Sequence, residues 1–333
     1  MTVLVTGGAG FIGSHMVLAL LDAGETVVVL DNLVTGFEWL VDHRARLVRG
    51  DVGDFEAVRT LIEDNGIDAV LHFAGSIVVP ESVSDPLKYY RNNTSNTRTL
   101  LEACVAAGVK HFIFSSTAAV YGMVGLEPVA EDAVLMPMSP YGRSKLMSEW
   151  MLADVAAAHP LTYGVLRYFN VAGADGQMRS GQSNAGATHL IKVAVQTALG
   201  LRPKMSVFGE DYPTPDGTCV RDYIHVTDLV AAHKLLLDHL RAGGESLTLN
   251  CGYGRGFSVD EVIGTVKKVT GVDFAVERGP RRPGDPASIV AGAERIRAVL
   301  GWTPAHDDLE EIVANAHEWE AHLQTRNDRP SIY

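Results

Sequence analysis

Short runs of apolar, often β-branched residues alternate with stretches of helical periodicity through the first half of the chain. Runs of this kind are typical of buried parallel strands, and the stretches between them of crossover helices. The predicted strands are Thr2–Thr6, Thr26–Asp31, 69–73, 111–115 and 162–167, and the predicted helices are 15–21, 55–64, 97–107 and 141–158. This alternation predicts an α/β fold with a doubly wound parallel sheet.

The pattern changes after about Asn170, where the elements become shorter and the loops longer. Three polar loops rich in glycine or proline occupy 173–186, 212–217 and 281–286. Loops of this length usually carry function or cover a site. The 333 residues are therefore expected to form a sheet domain, 1–169, and a smaller ligand-covering lobe, 170–333, with segments that return to the first domain.

Glycine recurs at Gly7, Gly10 and Gly13, between the first predicted strand and the first predicted helix. Glycines are needed where the backbone turns tightly and approaches a pyrophosphate, which the N–H groups of the helix N-terminus then bind. The second strand ends in Asp31, where an acid binds the adenosine ribose and repels a 2′-phosphate. The pattern predicts a Rossmann-type domain that binds NAD rather than NADP. An ordinary βαβ unit with turn glycines is the alternative.

The charge balance excludes several classes of partner. A formal net charge of −12 disfavours nucleic acid and anionic membrane surfaces, so an anionic ligand would need arginines placed in its site. The cysteines, Cys104, Cys219 and Cys251, lack metal-ligand spacing and are expected to be reduced and buried, with no metal site. No apolar run reaches membrane-spanning length and no leader pattern precedes the first strand, which predicts a cytoplasmic protein.

Tyr141 and Lys145 are the candidate catalytic pair. Their spacing of four residues puts them on one face of a helix. A free phenol has a pKa of about 10, too high for a base at neutral pH. A neighbouring ammonium and a positively charged nicotinamide both favour the phenolate. The pair therefore predicts proton abstraction from an alcohol with hydride transfer, unless the two residues merely share a helix.

Hydroxyl and amide side chains near the strand ends extend this candidate site. Ser115, Ser116 and Thr117 end a predicted strand at the carboxyl edge of the sheet, where ligands bind. Thr117 is expected to bridge the substrate hydroxyl and the phenolate, or else to cap the backbone. Asn92 is expected either to contact the cofactor or to order its loop.

Several further motifs carry a resemblance that covers nearly the whole chain. They are 7–14, 31–33, 72–75, 81–83, 89–93, 114–117, 120–122, 139–145, 167–170, 208–218 and 220–226. With these motifs the chain resembles the extended short-chain dehydrogenase/reductases and, within them, the UDP-glucose 4-epimerase branch. The segments 208–218 and 220–226 are the most specific.

The resemblance implies roles for the matching residues. Together with the glycine pattern, it predicts cofactor contacts from Gly7, Gly10, Phe11, Ile12, Gly13, Asp31, Asn32, Asp51, Val52, Phe73, Ala74, Gly75, Asn92, Ser115, Lys145 and Tyr168. It predicts UDP-sugar contacts from Thr117, Tyr141, Phe169, Asn170, His189, Ser206, Val207, Phe208, Arg221, Arg282, Asp285 and Ile289. Arg221 and Arg282 would bind the diphosphate, as an acidic protein requires, although a surface position is the alternative for either arginine.

The activity that the resemblance implies is NAD-dependent epimerisation at C4 of a UDP-hexose, through a transient 4-keto sugar. Related 4,6-dehydratases place an Asp-Glu pair after the catalytic threonine, whereas this chain has Ala118-Ala119, so elimination of water is not expected. The alternatives are 4-epimerisation of a UDP-pentose or a UDP-N-acetylhexosamine, and a non-catalytic NAD-binding regulator. The family often forms homodimers through the helices at 96–107 and 141–158, and a homodimer is expected here.

Three residues depart from the family pattern. Ile77 stands where some epimerases have a lysine near the cofactor, and His189 stands where an asparagine often contacts the nucleotide. Ile289 occupies a position that varies between a bulky aromatic and a smaller residue and influences whether N-acetylated sugars turn over. An isoleucine is intermediate in size, so the sequence leaves the physiological sugar open.

Overall fold

The computed structural model describes residues 1–184, 186, 188–282 and 284–326. Its strands are β1 (Thr2–Thr6), β2 (Thr26–Asp31), β3 (Arg46–Arg49), β4 (Ile67–His72), β5 (His111–Thr117), β6 (Thr162–Tyr168), β7 (Asn170–Ala172), β8 (Met205–Phe208), β9 (Val220–His225), β10 (Leu247–Cys251), β11 (Gly256–Ser258), β12 (Val276–Gly279) and β13 (Ser288–Ile289). The helices are α1 (Phe11–Asp22), α2 (Phe55–Asn65), α3 (Val79–Ser84), α4 (Pro86–Tyr89), α5 (Asn96–Ala106), α6 (Pro140–Ala158), α7 (Leu190–Ala198), α8 (Val226–Arg241), α9 (Val259–Thr270), α10 (Glu294–Leu300) and α11 (Leu309–Gln324). A π-helical segment, Tyr90–Ser95, joins α4 to α5.

Seven parallel strands form the central sheet in the order β10-β6-β5-β4-β1-β2-β3. This confirms the predicted doubly wound α/β fold. The chain runs outward from β1 to β3, then crosses back to β4 on the other side of β1. Ligands of such sheets bind outside the carboxyl ends of the strands at this reversal.

Two strands of this sheet are not among the elements that the sequence predicts. β3 has the sequence Arg-Leu-Val-Arg and lies at the sheet edge with no fully buried residue, so its apolar run is too short to stand out. β10 pairs with β6 although Leu247 and its partner Gly164 are 83 residues apart. Local patterning does not reveal such a pairing, because only the completed sheet provides the edge that β10 joins.

Buried apolar side chains cover both faces of the sheet. One cluster lies beneath α1 and α8 and includes Val5, Leu71 and Ile113; the other lies beneath α2, α5 and α6 and includes Leu4, Val70 and Phe112. Alternate residues of each strand thus enter opposite cores, as a two-sided sheet requires. The three cysteines are free and buried, as predicted.

The strands outside the central sheet form two smaller groups. In one, β9 pairs with β7, β11 and β13; in the other, β8 pairs with β12. α8 follows β9 and packs against α1, β5 and β6, so this part of the chain returns to the central sheet. Within the described residues, no helix has the length and apolar character needed to cross a membrane.

Candidate active site

The turn between β1 and α1 requires glycine at two positions, because a Cβ there would clash with the backbone. Gly7 has φ +71°, and a Cβ there would lie 2.6 Å from the Ala74 backbone nitrogen. A Cβ at Gly13 would lie 2.1 Å from the Gly7 carbonyl oxygen. Gly10 precedes α1 with no side-chain cap, so the first N–H groups of that helix, from Phe11 onward, are left for a ligand. This geometry fits a pyrophosphate at the helix N-terminus.

Asp31 organises the backbone at the carboxyl end of β2. Its carboxylate accepts hydrogen bonds from the backbone N–H groups of Ala9 (3.0 Å) and Leu33 (2.8 Å). The side chain is buried at the end of β2. Asp31 therefore ties the glycine-rich turn to the loop after β2, a structural task that the sequence did not predict. Its contact with a ribose remains a prediction.

The turn at Asp51 and Val52 lies beside this loop. Asp51 accepts hydrogen bonds from Asn32 (3.2 Å), from the Gly53 N–H (2.8 Å) and from Asn96 (3.0 Å). Val52 is buried. The structure thus brings Asn32 and Asp51, two of the predicted cofactor contacts, together, and their contact with NAD stays a prediction.

The segment Phe73, Ala74 and Gly75 leaves β4 at the sheet reversal. Asn92 donates to the Ser76 hydroxyl at 2.9 Å, so Asn92 orders this loop, one of the two roles expected for it. The neighbouring Asn93 makes more hydrogen bonds than Asn92 does. It accepts from the Ser76 N–H at 2.7 Å and donates to the Ser76 carbonyl at 2.9 Å and to Ser144 on α6 at 3.0 Å. Its place in a π-helical segment, a feature frequent at functional sites, is visible only in the structure.

Tyr141 and Lys145 are both buried on α6, with exposed fractions of 7% and 3%. The Lys145 ammonium donates to the Ser115 carbonyl at 2.9 Å and lies 4.7 Å from the centre of the Phe114 ring. Burial lowers the pKa of Lys145 to about 8, and the charge of Glu149 opposes that change. Lys145 thus remains largely protonated at neutral pH.

Burial also raises the pKa of Tyr141, while a hydrogen bond involving Thr117 lowers it. The depression of this pKa that the sequence suggested is therefore not a property of the protein alone. The reason is that desolvation of the buried phenolate outweighs the nearby dipoles. A further positive charge in the crevice is needed to turn Tyr141 into a base.

Thr117 caps the backbone, one of its two expected roles, while its bridge to a substrate hydroxyl stays a prediction. Its hydroxyl accepts from the Ala119 N–H at 3.1 Å, which caps a short 3₁₀ turn, and it also affects the Tyr141 phenol. Ser115 donates to the Tyr168 hydroxyl at 2.9 Å, and burial raises the pKa of that phenol. Tyr141 thus lies beside Thr117 and one helical turn before Lys145 on α6.

A buried ion pair joins α6 to β6 and is not predicted by the sequence. Glu149 pairs with Arg167 on β6 at 2.7 Å and accepts a short hydrogen bond from Ser116. Arg167 also donates to the Tyr121 hydroxyl at 3.0 Å. Glu149 follows Lys145 by one helical turn, a spacing that could have drawn attention to it.

On the expected substrate side, β8 and the loop after β12 come together. Ser206 and Phe208 are exposed on one face of β8, and the Arg282 guanidinium lies 4.2 Å from the centre of the Phe208 ring. The Asp285 N–H donates to the Arg282 carbonyl at 3.3 Å. Val207 points the other way and is 1% exposed, which leaves only its backbone for ligand contact.

Arg221 and Ile289 are direct neighbours in register, because β9 pairs with β13. Arg221 is half-buried and donates to the Val220 carbonyl at 2.8 Å. Ile289 is buried. Arg221 therefore lies on the central strand of the small sheet, between Phe257 of β11 and Ile289, the position expected to influence sugar choice.

Asn170 and His189 border one small cavity of about 20 Å³, together with Tyr223 and Lys192. Asn170 begins β7 directly after the buried Phe169. Burial, and then the charge of Lys192, lower the pKa of His189, so the imidazole is neutral near pH 7. Its Nδ1 lies 2.8 Å from the Gln182 side-chain amide.

The family model described as "NAD dependent epimerase/dehydratase family" matches residues 3–252. The chain belongs to this family. It is 57% identical to the UDP-glucose 4-epimerase of Azospirillum brasilense, over 97% of this chain and 92% of the relative. Among solved structures, it matches the UDP-glucose 4-epimerase of Brucella ovis in complex with NAD, with a TM-score of 0.93, 44% identity and 95% and 97% coverage of the two chains. It also matches the UDP-Glc/GlcNAc 4-epimerase of Campylobacter jejuni, with a TM-score of 0.85, 48% identity and 96% and 99% coverage.

Proposed function

We propose that this protein is a UDP-glucose 4-epimerase, which inverts C4 of a UDP-hexose and interconverts UDP-glucose and UDP-galactose with NAD as cofactor. The observation that carries the proposal is the joint placement of Tyr141, Lys145 and Thr117 at the carboxyl end of β5. The family match and the similarity to named UDP-glucose 4-epimerases support it.

Tyr141 acts as the base that takes the proton from the C4 hydroxyl and later returns it. NAD, when bound, supplies hydride acceptance and return at C4 and places a positive charge near the phenol. Lys145 adds a second positive charge, and a positive charge favours the phenolate. The charge of Glu149 raises the pKa of Lys145 and so helps to keep the ammonium protonated. Thr117 orients the substrate hydroxyl toward Tyr141 and lowers the pKa of the phenol.

The nucleotide provides the anchor while the sugar reorients. In this proposal Arg221 and Arg282 bind the diphosphate, Phe208 and Ser206 contact the uracil, and Asp285 binds the ribose. The contact of the Arg282 guanidinium with Phe208 supports this assignment, because it puts the arginine beside the residue assigned to the uracil. The transient 4-keto sugar can then rotate without leaving, and reduction on its opposite face gives the epimer. Ala118 and Ala119 supply no acid or base, which disfavours loss of water.

A division into two lobes follows from these roles. We assign NAD binding to 1–169 and the nucleotide-sugar site to 170–333, with β10 and α8 as the segments that return to the central sheet. The cytoplasm is the proposed location, which the free, buried cysteines favour.

Another UDP-sugar is the main alternative substrate. The buried Ile289 is smaller than an aromatic residue, and the similar Campylobacter jejuni enzyme carries UDP-Glc/GlcNAc in its name. UDP-N-acetylhexosamines and UDP-pentoses therefore belong in the substrate panel. A non-catalytic NAD-binding regulator is the alternative of another class, and the complete trio of Tyr141, Lys145 and Thr117 argues against it.

The first experiment offers UDP-galactose to the purified protein without added NAD and measures UDP-glucose by chromatography. We expect conversion to an equilibrium mixture, because the cofactor is expected to remain bound through turnover. Failure with UDP-galactose even after addition of NAD would contradict the hexose assignment. Turnover of UDP-N-acetylglucosamine or a UDP-pentose alone would then identify the alternative.

We further propose a homodimer formed through α5 and α6. The outer face of α6 exposes Met147 (37%) and Trp150 (57%), three residues apart, and the adjoining α3 and α4 expose Val83 and Leu87. Exposed apolar side chains gathered on one surface are typical of protein–protein contacts.

Trp150→Arg should convert the dimer to a monomer, because it puts an unpaired charge in the apolar contact. Size-exclusion chromatography with light scattering measures the change as a halving of the mass. Val299→Arg on α10 is the matched control, since Val299 is similarly exposed (43%) but lies outside α5 and α6. A wild-type protein that is monomeric at high concentration would contradict the proposal.

A further inference from the structure

Two tryptophans that the proposed function does not use stack on one another. The ring centres of Trp39 and Trp319 are 6.3 Å apart and their planes differ by 26°. Neither indole N–H has a hydrogen-bond partner within the part of the chain that the structure describes. The contact is therefore one of ring surfaces, in the offset arrangement that aromatic pairs prefer. The Arg326 guanidinium also lies 3.9 Å from the centre of the Trp39 ring.

Trp39 belongs to a segment that lies directly on the glycine-rich turn. The Phe37 N–H donates to the Ala9 carbonyl at 2.9 Å. A Cβ at Gly36 would lie 2.8 Å from the Ala9 Cβ, so the two backbones are in close contact. Phe37 and Trp39 also contact each other, with ring centres 5.5 Å apart. Trp39 is thus linked to the turn through Phe37 and Gly36 of the same segment.

Trp319 is held rigidly by the fold. It is 2% exposed on α11, and a Cβ at Gly181 would lie 2.4 Å from its ring. The residues before Gly181 are attached to α1: the Ser180 and Ser14 hydroxyls are 2.6 Å apart, and Arg179 pairs with Asp22 at 2.8 Å. Trp319 is therefore fixed relative to the same helix whose N-terminus fits a pyrophosphate.

We propose that Trp39 and Trp319 are positioning residues for NAD, whose stacking holds residues 36–40 across the glycine-rich turn and slows release of the bound dinucleotide. Residues 36–40 cannot lift from Ala9 without separating the two rings. Retention of cofactor serves a reaction in which the same NAD is oxidant and then reductant. The inference rests on the NAD site of the proposed function.

The test uses Trp39→Ala, which removes the ring from the half-buried side of the pair. We expect bound NAD to dissociate from the purified holoenzyme about tenfold faster, which corresponds to about 1.4 kcal/mol. Released NAD is measured over time with a coupled NAD-dependent dehydrogenase. At saturating added NAD, kcat should stay within about twofold of the wild-type value, because Trp39 does not contact Tyr141, Lys145 or Thr117.

Two further variants separate stacking from a general loss of order. Trp39→Phe keeps an aromatic ring and should release NAD no more than about threefold faster than wild type. Glu38→Ala, the matched control, truncates an exposed neighbour in the same 3₁₀ turn and should leave the release rate unchanged. Thermal unfolding of each variant shows whether it remains folded.

An unchanged release rate in Trp39→Ala would overturn the proposal, as would a loss of kcat at saturating NAD as large as the gain in release rate. Equal effects of Trp39→Phe and Trp39→Ala would also overturn it, since the ring would then be irrelevant. A wild-type protein that neither carries nor binds NAD is a different result. It would remove the cofactor site of the proposed function itself.

Discussion

Tyr141→Phe is expected to lower kcat for UDP-galactose conversion by about 10³-fold, because the variant lacks the group that takes the C4 proton. The ring remains in its buried position on α6, so NAD content and fold should be retained. The loss of one hydrogen bond with Thr117 should cost about 1 kcal/mol of unfolding free energy. Activity is measured as UDP-glucose formed, and NAD content by absorbance after denaturation.

Tyr163→Phe provides the matched control for this substitution. Tyr163 lies near the start of β6, at the opposite end of that strand from the candidate site, and is only half-buried. Its loss of a hydroxyl should leave kcat unchanged. A Tyr141→Phe enzyme that keeps more than a tenth of wild-type activity would remove Tyr141 from the role of base. Full biological function in that variant would instead revive the regulatory alternative.

Lys145→Met should lower kcat by about 10²-fold at pH 7, since it removes a positive charge that favours the phenolate. The defect should shrink as the pH rises. Above about pH 8 the wild-type Lys145 itself loses its proton, because burial lowers its pKa to about 8. Over the same range the variant gains phenolate. The measurement is kcat from pH 6.5 to 9.5 for both proteins, and a ratio independent of pH would contradict this role.

The lowered pKa of Lys145 also predicts how the free energy of unfolding changes with pH. The pKa of Lys145 is lowered in the folded protein from 10.5 to about 8, so between these values the unfolded chain binds more protons. Its contribution to the unfolding free energy therefore rises with pH across this window, by about 3 kcal/mol in total. The difference between wild type and Lys145→Met in NAD-free urea unfolding isolates it. A difference that stays constant from pH 8 to 10.5 would contradict the lowered pKa.

Features that depend on nearby residues could be predicted from the sequence. The strands, the glycine-rich turn and the helix that carries Tyr141 and Lys145 follow from short-range periodicity and spacing. The clashes that a Cβ would cause at Gly7 and Gly13 explain why glycine at these positions is informative. The UDP-sugar contacts of Arg221, Arg282 and Asp285 came only from family resemblance and stay predictions.

The tertiary structure decided the features that join distant parts of the chain. The pairing of β10 with β6, the ion pair of Glu149 with Arg167 and the stack of Trp39 on Trp319 each link residues that no local pattern connects. The direction of the Tyr141 pKa also belongs here, because desolvation depends on what surrounds the phenol. By itself, the sequence determined which chemical groups are present and how they are spaced along each element. Their burial and their long-range partners emerged only when the elements packed, since both depend on residues far away along the chain.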